Sequence, residues 1–250
     1  MRHVRAFAAW TKGSEVTPEI SAAWKKHLQE VGYAPDTINC MLVSLNRFFD
    51  CVGWGACKVR LLRIQRKLFR ATQKELTRSE YLRLLHAAHL YHRERIALLM
   101  EAICATGIRV SEVQFLTVEA ARTGRAEVSL KGKTRVILIP GSLRKKLLVY
   151  AKQNKTTSGA IFRTRNGSPI SRKQIWAEMK SLCQKAGVAP TKVFPHNLRH
   201  LFARVYYNQY HDVAKLADVL GHSSLDTTRI YLISTGQEHQ RQLERLGLVS

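Results

Sequence analysis

The sequence is short of acid. Its 250 residues carry 18 Asp and Glu against 41 Lys and Arg, a formal net charge of +23. One-signed charge on that scale repels itself and destabilises a compact state unless a polyanion offsets it, so nucleic acid is the expected partner. The deficit of acid is not local. Residues 1–70 hold 12 basic and 5 acidic side chains, and residues 71–250 hold 29 and 13. Both parts are expected to touch phosphate, which favours a chain that clamps a duplex over one with a single docking patch.

Other absences narrow the class further. No apolar run approaches the ~20 residues that a membrane span needs, and no apolar h-region follows Met1-Arg2-His3-Val4-Arg5. No membrane partner is expected. The five cysteines (Cys40, Cys51, Cys57, Cys104, Cys183) are odd in number and lack C-x-x-C spacing. Several stand among apolar residues, where cysteine behaves as a small hydrophobe, so a reducing cytoplasm is the expected compartment. There is no internal repeat and no low-complexity segment. The hydrophobic content of 45% is that of an ordinary globular protein, long enough for one large domain or two modest ones.

What is present is mostly helical signal. Thr17-Pro18-Glu19 reads as an N-cap, a proline at the first helical position and an acid in the first turn. Ile20, Trp24, Leu28 and Val31 follow at roughly helical spacing. A second helix is expected from Pro35, with Ile38, Met41, Leu42, Leu45, Phe48 and Phe49 as its apolar stripe, and a further basic helix from Arg60 to Arg70. Residues 1–70 are thus expected to form a small helical domain, with 71–76 as a linker where the periodicity lapses. Thr77-Arg78-Ser79-Glu80 matches a capping box, with Leu76 and Tyr81 as its hydrophobic staple. A second domain over 77–235 is expected to be mainly helical with one small β element. Ile96, Leu99, Met100 and Ile103 form a helix face that stops at Gly107. Residues 126–139 alternate about Lys131-Gly132-Lys133 as a hairpin, and helices are expected near 141–153, 171–186 (Ser171 and Gln174 as a capping box), 195–207, 212–220 and 224–233. The fold class is mainly α with a small β-sheet.

Breaking a DNA phosphodiester without metal sets demands on side chains. Charge gathers on the phosphate oxygens and calls for fixed cationic donors, for which the planar fork of arginine is well shaped. The leaving 5′ oxygen needs a proton, and a side-chain nucleophile conserves the bond for rejoining. Arg109 and Arg199 fit the clamp, Lys131 the acid, His196 and His222 the hydrogen-bonding groups, and Tyr231 the nucleophile. A free tyrosine titrates near 10, so a neighbouring histidine or arginine has to activate it. Each signal alone has an ordinary explanation: an exposed turn, a helix surface, a core aromatic.

The ordered set does not. Arg109 with Gly107 two before and Glu112 three after, a basic β turn, His196-x-x-Arg199, Gly221-His222 and then Tyr231 nine residues on together resemble the tyrosine recombinase family, the phage integrases, in an Xer-like form. The resemblance covers the whole second part and, more loosely, Gly32 to Asn39, which looks like the start of a helix in the family's DNA-clamping N-terminal domain. It implies a metal- and ATP-independent site-specific recombinase with no cofactor. Such an enzyme cuts and rejoins double-stranded DNA through a 3′-phosphotyrosyl link and works as a homotetramer on two duplexes, with accessory DNA-bending proteins as candidate helpers. It also implies that a C-terminal helix within 236–250, with an amphipathic run at 237–248, packs on a neighbouring protomer. The chain departs from the pattern in three places. The turn is short, so Lys131 and Lys133 compete for the acid role, with Lys131 preferred because it precedes the glycine. Asn197 stands where an acid is common. The N-terminal domain begins late, as in a minimal enzyme without an arm-binding domain.

Rival readings are weaker. His196 and His200 have the spacing of two zinc ligands on a helix, but Asn197 cannot act as the general base that pattern requires. His86, His89 and His92 cluster without a Cys or carboxylate ligand set. A non-catalytic DNA-binding regulator has no use for Tyr231. A type IB topoisomerase shares the chemistry, yet the short helical N-terminal part and the extension after Tyr231 favour the recombinase.

Overall fold

A computed structural model of the chain describes residues 1–64, 75–130, 132–222, 224–229 and 244–246, with the side chains of Leu130, Lys133, Asp226 and Arg229 left out. The contacts divide it into two compact units, Met1–Lys67 and Leu68–Ser250.

Three helices build the first unit. α1 (Arg2–Thr11), not singled out in the sequence, buries Phe7 and Thr11, with Ala6 and Trp10 packed against the same core. α2 (Pro18–Glu30) starts where the capping signal places it, the Thr17 hydroxyl accepting from the Ile20 amide at 3.3 Å. It buries Ser21, Trp24 and Leu28, while Val31 is its exposed C-cap. α3 (Pro35–Cys51) buries Ile38, Met41, Leu42, Leu45 and Phe49 along one stripe. Phe7 sits edge-on to both Trp24 (5.8 Å) and Phe49 (5.9 Å), tying the three helices together. Each such side chain contributes roughly 1.5–3 kcal/mol on burial.

The helix expected from Arg60 is not formed over residues 60–64, and residues 65–70 lie outside the described residues. The reason stands on α3. The Asn46 side-chain amide donates to the Val59 carbonyl and accepts from the Val59 amide, both at 2.9 Å. Asn39, two turns earlier, does the same with Leu62, at 2.9 and 2.8 Å. Backbone groups engaged by asparagines in this way are not available to an i→i+4 ladder.

In the second unit, α4 (Arg78–Leu90) opens with the full capping box of Thr77 and Glu80. Glu75 and Leu76, expected as linker, belong to this unit. Leu76 is buried in its core, and Arg204 binds the Glu75 carboxylate and the Leu76 carbonyl. α5 (Glu94–Thr106) is nearly enclosed, burying Ile96 to Met100, Ala102, Ile103 and Thr106, and it ends at Gly107 in the left-handed conformation (φ 63°). A 3-10 turn (Val110–Phe115), where a new helix starting with Arg109 is expected, and α6 (Val118–Thr123), which was not foreseen, lead into β1 (Arg125–Leu130) and β2 (Lys133–Leu138). These strands form an antiparallel hairpin in which Val128 faces Arg135 and Ala126 faces Ile137. The inward face of β2 is therefore Arg135 and Ile137, while Val136 and Leu138 point outward and are exposed.

α7 (Gly141–Gln153) and α8 (Arg172–Ser181) follow. Ser171 caps α8 through the Gln174 amide at 3.2 Å. The single helix expected over 171–186 breaks at Leu182, and a short α9 (Cys183–Ala186) ends at a left-handed Gly187. α10 (Pro195–Tyr210) packs on α5, and α11 (Val213–Leu220) packs on α10. α12 (Leu225–Arg229) is the described part of the helix expected over 224–233. Among the described residues no helix is long and apolar enough to cross a membrane.

Replacing Asn46 with alanine removes two hydrogen bonds and leaves the Val59 amide and carbonyl without their partner. The first unit should lose about 1–3 kcal/mol, since an orphaned, partly buried backbone group costs that much. Chemical denaturation of the full chain with Trp176 replaced by phenylalanine, followed by the fluorescence of Trp10, Trp24 and Trp54 in the first unit, checks this. An unchanged midpoint would mean that residues 59–62 are held by other contacts.

Candidate active site

Arg199 lies one helical turn after His196 on α10 and is 2% exposed. A guanidinium so enclosed must have its N–H groups engaged. One terminal nitrogen donates to the Gly107 carbonyl, and the other donates to the Leu220 carbonyl at 2.8 Å and to the His222 Nε2 at 2.9 Å. Both carbonyls stand at helix ends, those of α5 and α11, where unsatisfied C=O groups gather. Gly107 has to be glycine for two reasons. Its φ is positive, and a Cβ there would come within 2.6 Å of the Phe202 ring and 2.9 Å of Leu220. Carbonyl ligands orient the guanidinium without cancelling its charge.

His222 follows Gly221, the left-handed C-cap of α11. Its Nε2 faces an arginine, which can only donate, so the ring proton belongs on Nδ1, where it is given to the Thr228 hydroxyl at 2.8 Å. Burial, and then the charges of Arg199, Arg109 and Arg135, push its pKa from 6.5 down to about 4. The imidazole is therefore neutral at pH 7, and it orients Arg199 rather than adding charge.

Arg109 precedes the 3-10 turn. Its two terminal nitrogens donate to Glu112 Oε1 and to the Gly221 carbonyl, each at 3.0 Å. Glu112 is 3% exposed, and its other oxygen accepts from the Arg109 amide (2.9 Å) and from Arg135 (2.5 Å). These donors hold its carboxyl below the usual range against the opposing effect of burial. Arg135 was not singled out in the sequence. Residue order does not show that it faces inward, because Val136 and Leu138 look like the apolar positions of this strand; the register opposite Val128 does.

Arg109, His196, Arg199 and His222 line one cavity of about 920 Å³, together with Arg172, Lys173, Trp176 and Thr227. The start of the 3-10 turn, α10 and the turn after α11 thus bring four of the six expected residues to one place, and α8 adds Arg172, Lys173 and Trp176. Lys131 and Tyr231 lie outside the described residues. By sequence Lys131 follows the last residue of β1, and Tyr231 stands two residues beyond the end of α12. Lys133 opens β2, but its side chain is not described. His200 meets His196 edge to face at 4.5 Å, and Asn197 is buried and donates to the Lys192 carbonyl at 2.7 Å. Arg172, Lys173 and Trp176 were missed because the sequence shows them only as an exposed helix face. A cavity lined by Arg109, Arg172, Lys173 and Arg199 suits an anion such as a phosphate group.

The model of the phage integrase family matches residues 74–238. Tyrosine recombinase XerA of Thermococcus kodakarensis is 29% identical over 254 residues, covering 99% of this chain and 87% of that protein. Tyrosine recombinase XerD of Xanthomonas axonopodis is 33% identical over 231 residues, covering 84% and 75%. Among solved structures, the Tn1549 transposon integrase in complex with transposon right end DNA superposes with a TM-score of 0.73 at 18% identity, covering 98% of this chain and 91% of that one. The XerH site-specific recombinase bound to a palindromic difH substrate gives 0.72 at 20% identity, covering 93% and 70%.

The lowered pKa of His222 has a consequence for stability. Between pH 6.5 and about 4 the unfolded chain takes up a proton at this histidine that the folded chain refuses. Its effect is therefore nil above pH 6.5, and it costs stability progressively as the pH falls toward 4. Thermal melts from pH 7.5 to 4.5 should show a steeper decline for the wild type than for His222→Asn, which cannot titrate. Parallel declines would mean that the imidazole protonates at its ordinary pH.

Proposed function

The chain belongs to the phage integrase family and is a tyrosine site-specific recombinase; we propose that Arg109, His196, Arg199 and His222, with Lys131 and Tyr231, are the groups that cut and rejoin its DNA. One observation carries the assignment: four residues spread over more than a hundred positions line a single cationic cavity. Double-stranded DNA is the substrate, in keeping with the net charge of +23 and with relatives solved on DNA.

The phenolic oxygen of Tyr231 attacks the scissile phosphorus, and the bond to the 5′ oxygen breaks. The phosphate stays on the 3′ side as a phosphotyrosyl ester, and the 5′ oxygen leaves as a hydroxyl with a proton from Lys131. Lys133 is the alternative donor. His196, on the cavity wall, is the group to accept the phenolic proton. Arg109 and Arg199 hold the phosphate oxygens as charge gathers on them, and His222 keeps Arg199 turned toward them. The 5′ hydroxyl of a partner strand then reverses the step on the phosphotyrosyl bond, which conserves the energy, so neither ATP nor metal is required. Exchange between two duplexes calls for four protomers. The segment 237–248 is the proposed contact between them; it lies outside the described residues apart from Glu244–Leu246, where Leu246 is exposed.

Tyr231→Phe should bind site DNA with near-normal affinity and form no covalent adduct on denaturing gels with a nicked trapping substrate, because only the nucleophilic oxygen is gone. An adduct in this variant would overturn the choice of nucleophile.

Arg109→Ala and Arg199→Ala should each cut at least ~10²–10³-fold more slowly in single-turnover assays, the loss typical of one fixed donor to a developing oxyanion. Arg199→Lys should recover little, because an ammonium cannot span the Gly107 and Leu220 carbonyls and a phosphate together. Full activity in the lysine variant would reduce Arg199 to a charge of no particular geometry.

A further inference from the structure

Arg135 takes no part in the mechanism above, yet it touches two segments that do. Its side chain is 15% exposed and springs from an inward position of β2, where an apolar residue is expected opposite Val128. Enclosing a guanidinium there is costly unless it is well paired. One terminal nitrogen meets Glu112 Oε2 at 2.5 Å, under Arg109, and the other donates to the Val219 carbonyl in the last turn of α11 at 3.1 Å. The Nε–H is buried with no acceptor among the described residues. The aliphatic stem lies so close to Gly221 that a Cβ there would fall 2.5 Å from Arg135 Cδ, so the left-handed glycine also makes room for this arginine.

The position along the hairpin matters most. A two-stranded sheet is marginal by itself and has to be held by what it packs on. The inward residues of β2 run from Ile137 to Arg135 toward the turn, and the β1 partner of Arg135, Val128, is two residues short of the strand's end. Arg135 is thus the inward side chain nearest the turn whose contacts are described, four residues after Lys131 in sequence. Its two bonds join the outer end of the hairpin to the segments that carry Arg109 and His222.

We propose that Arg135 is a positioning residue: by binding Glu112 and the Val219 carbonyl it holds the tip of the hairpin at a set distance from the phosphate clamp, so that the lysine of the turn delivers its proton to the leaving oxygen. This rests on the assignment of Lys131 above. Proton delivery is sensitive to distance, and a displacement of the order of 1 Å can cost ~10²-fold in rate.

The test uses the full-length protein, with Arg135→Lys, which keeps a charge beside Glu112 but cannot span to Val219, and Arg135→Gln, a neutral donor. Melting curves and DNA-binding assays select whichever variant folds and binds as the wild type does. Hydrogen exchange should then show faster exchange at the hairpin amides, 126–138, with α10 unchanged. Single-turnover cleavage of normal DNA should fall ~10–10²-fold. DNA carrying a bridging 5′ sulfur, a leaving group that needs no proton, should restore most of that loss, as it should for Lys131→Ala. Unchanged hairpin exchange overturns the proposal whatever the lysine does. So does a loss that persists on the sulfur substrate while Lys131→Ala is rescued. If exchange rises but neither variant is rescued, the hairpin anchor stands, and the acid role of Lys131, with the part of the proposal built on it, falls.

Discussion

A guanidinium 2% exposed, held by carbonyls from two helix ends and by an imidazole, is the constraint on which the second unit is organised. Arg199 cannot be enclosed unless α5 and α11 end where they do, because Gly107 and Leu220 supply its acceptors at those termini. The left-handed glycines that stop the two helices are thus part of the site. So is the neutrality of His222. A protonated imidazole against Arg199 would set two cations at 2.9 Å, and the field of the surrounding arginines opposes that proton.

Cationic cavities tend to push themselves apart, and the chain answers locally. Glu112 is buried and serves two arginines at once, fixing Arg109 from one oxygen and receiving Arg135 on the other. The carboxylate sets geometry more than it supplies stability, since taking three ions out of water offsets much of their attraction. Arg109 remains the more open of the two clamp arginines, with 38% of its side chain exposed, whereas Arg199 is 2% exposed.

The first unit rests on a different device. Two asparagines on one helix face complete the hydrogen bonding of a neighbouring irregular stretch, as a sheet edge would. That is why a run of basic and apolar residues from Arg60, which by composition could be helical, does not coil over its first five positions. Local propensity is a weak prior, and a pair of side-chain amides outweighed it.

Much of this molecule could be read from residue order alone. The Thr17, Thr77 and Ser171 caps, the glycine stops and the apolar stripes of α3 and α5 depend on interactions within four residues, which a sequence displays directly. The ordered set from Arg109 to Tyr231 also named the family before any geometry, because the chemistry of a phosphodiester demands those side chains whatever the loops between them. What the sequence could not show is anything set by contacts across long separations. The break at Leu182 lies inside an unbroken pattern. Arg135 looks like one more basic residue on a basic chain until β2 turns it inward and Glu112, 23 positions away, receives it. The tertiary structure decided which of 41 cations are buried and aimed, because burial and orientation come from the neighbours that folding brings together, not from the residue itself.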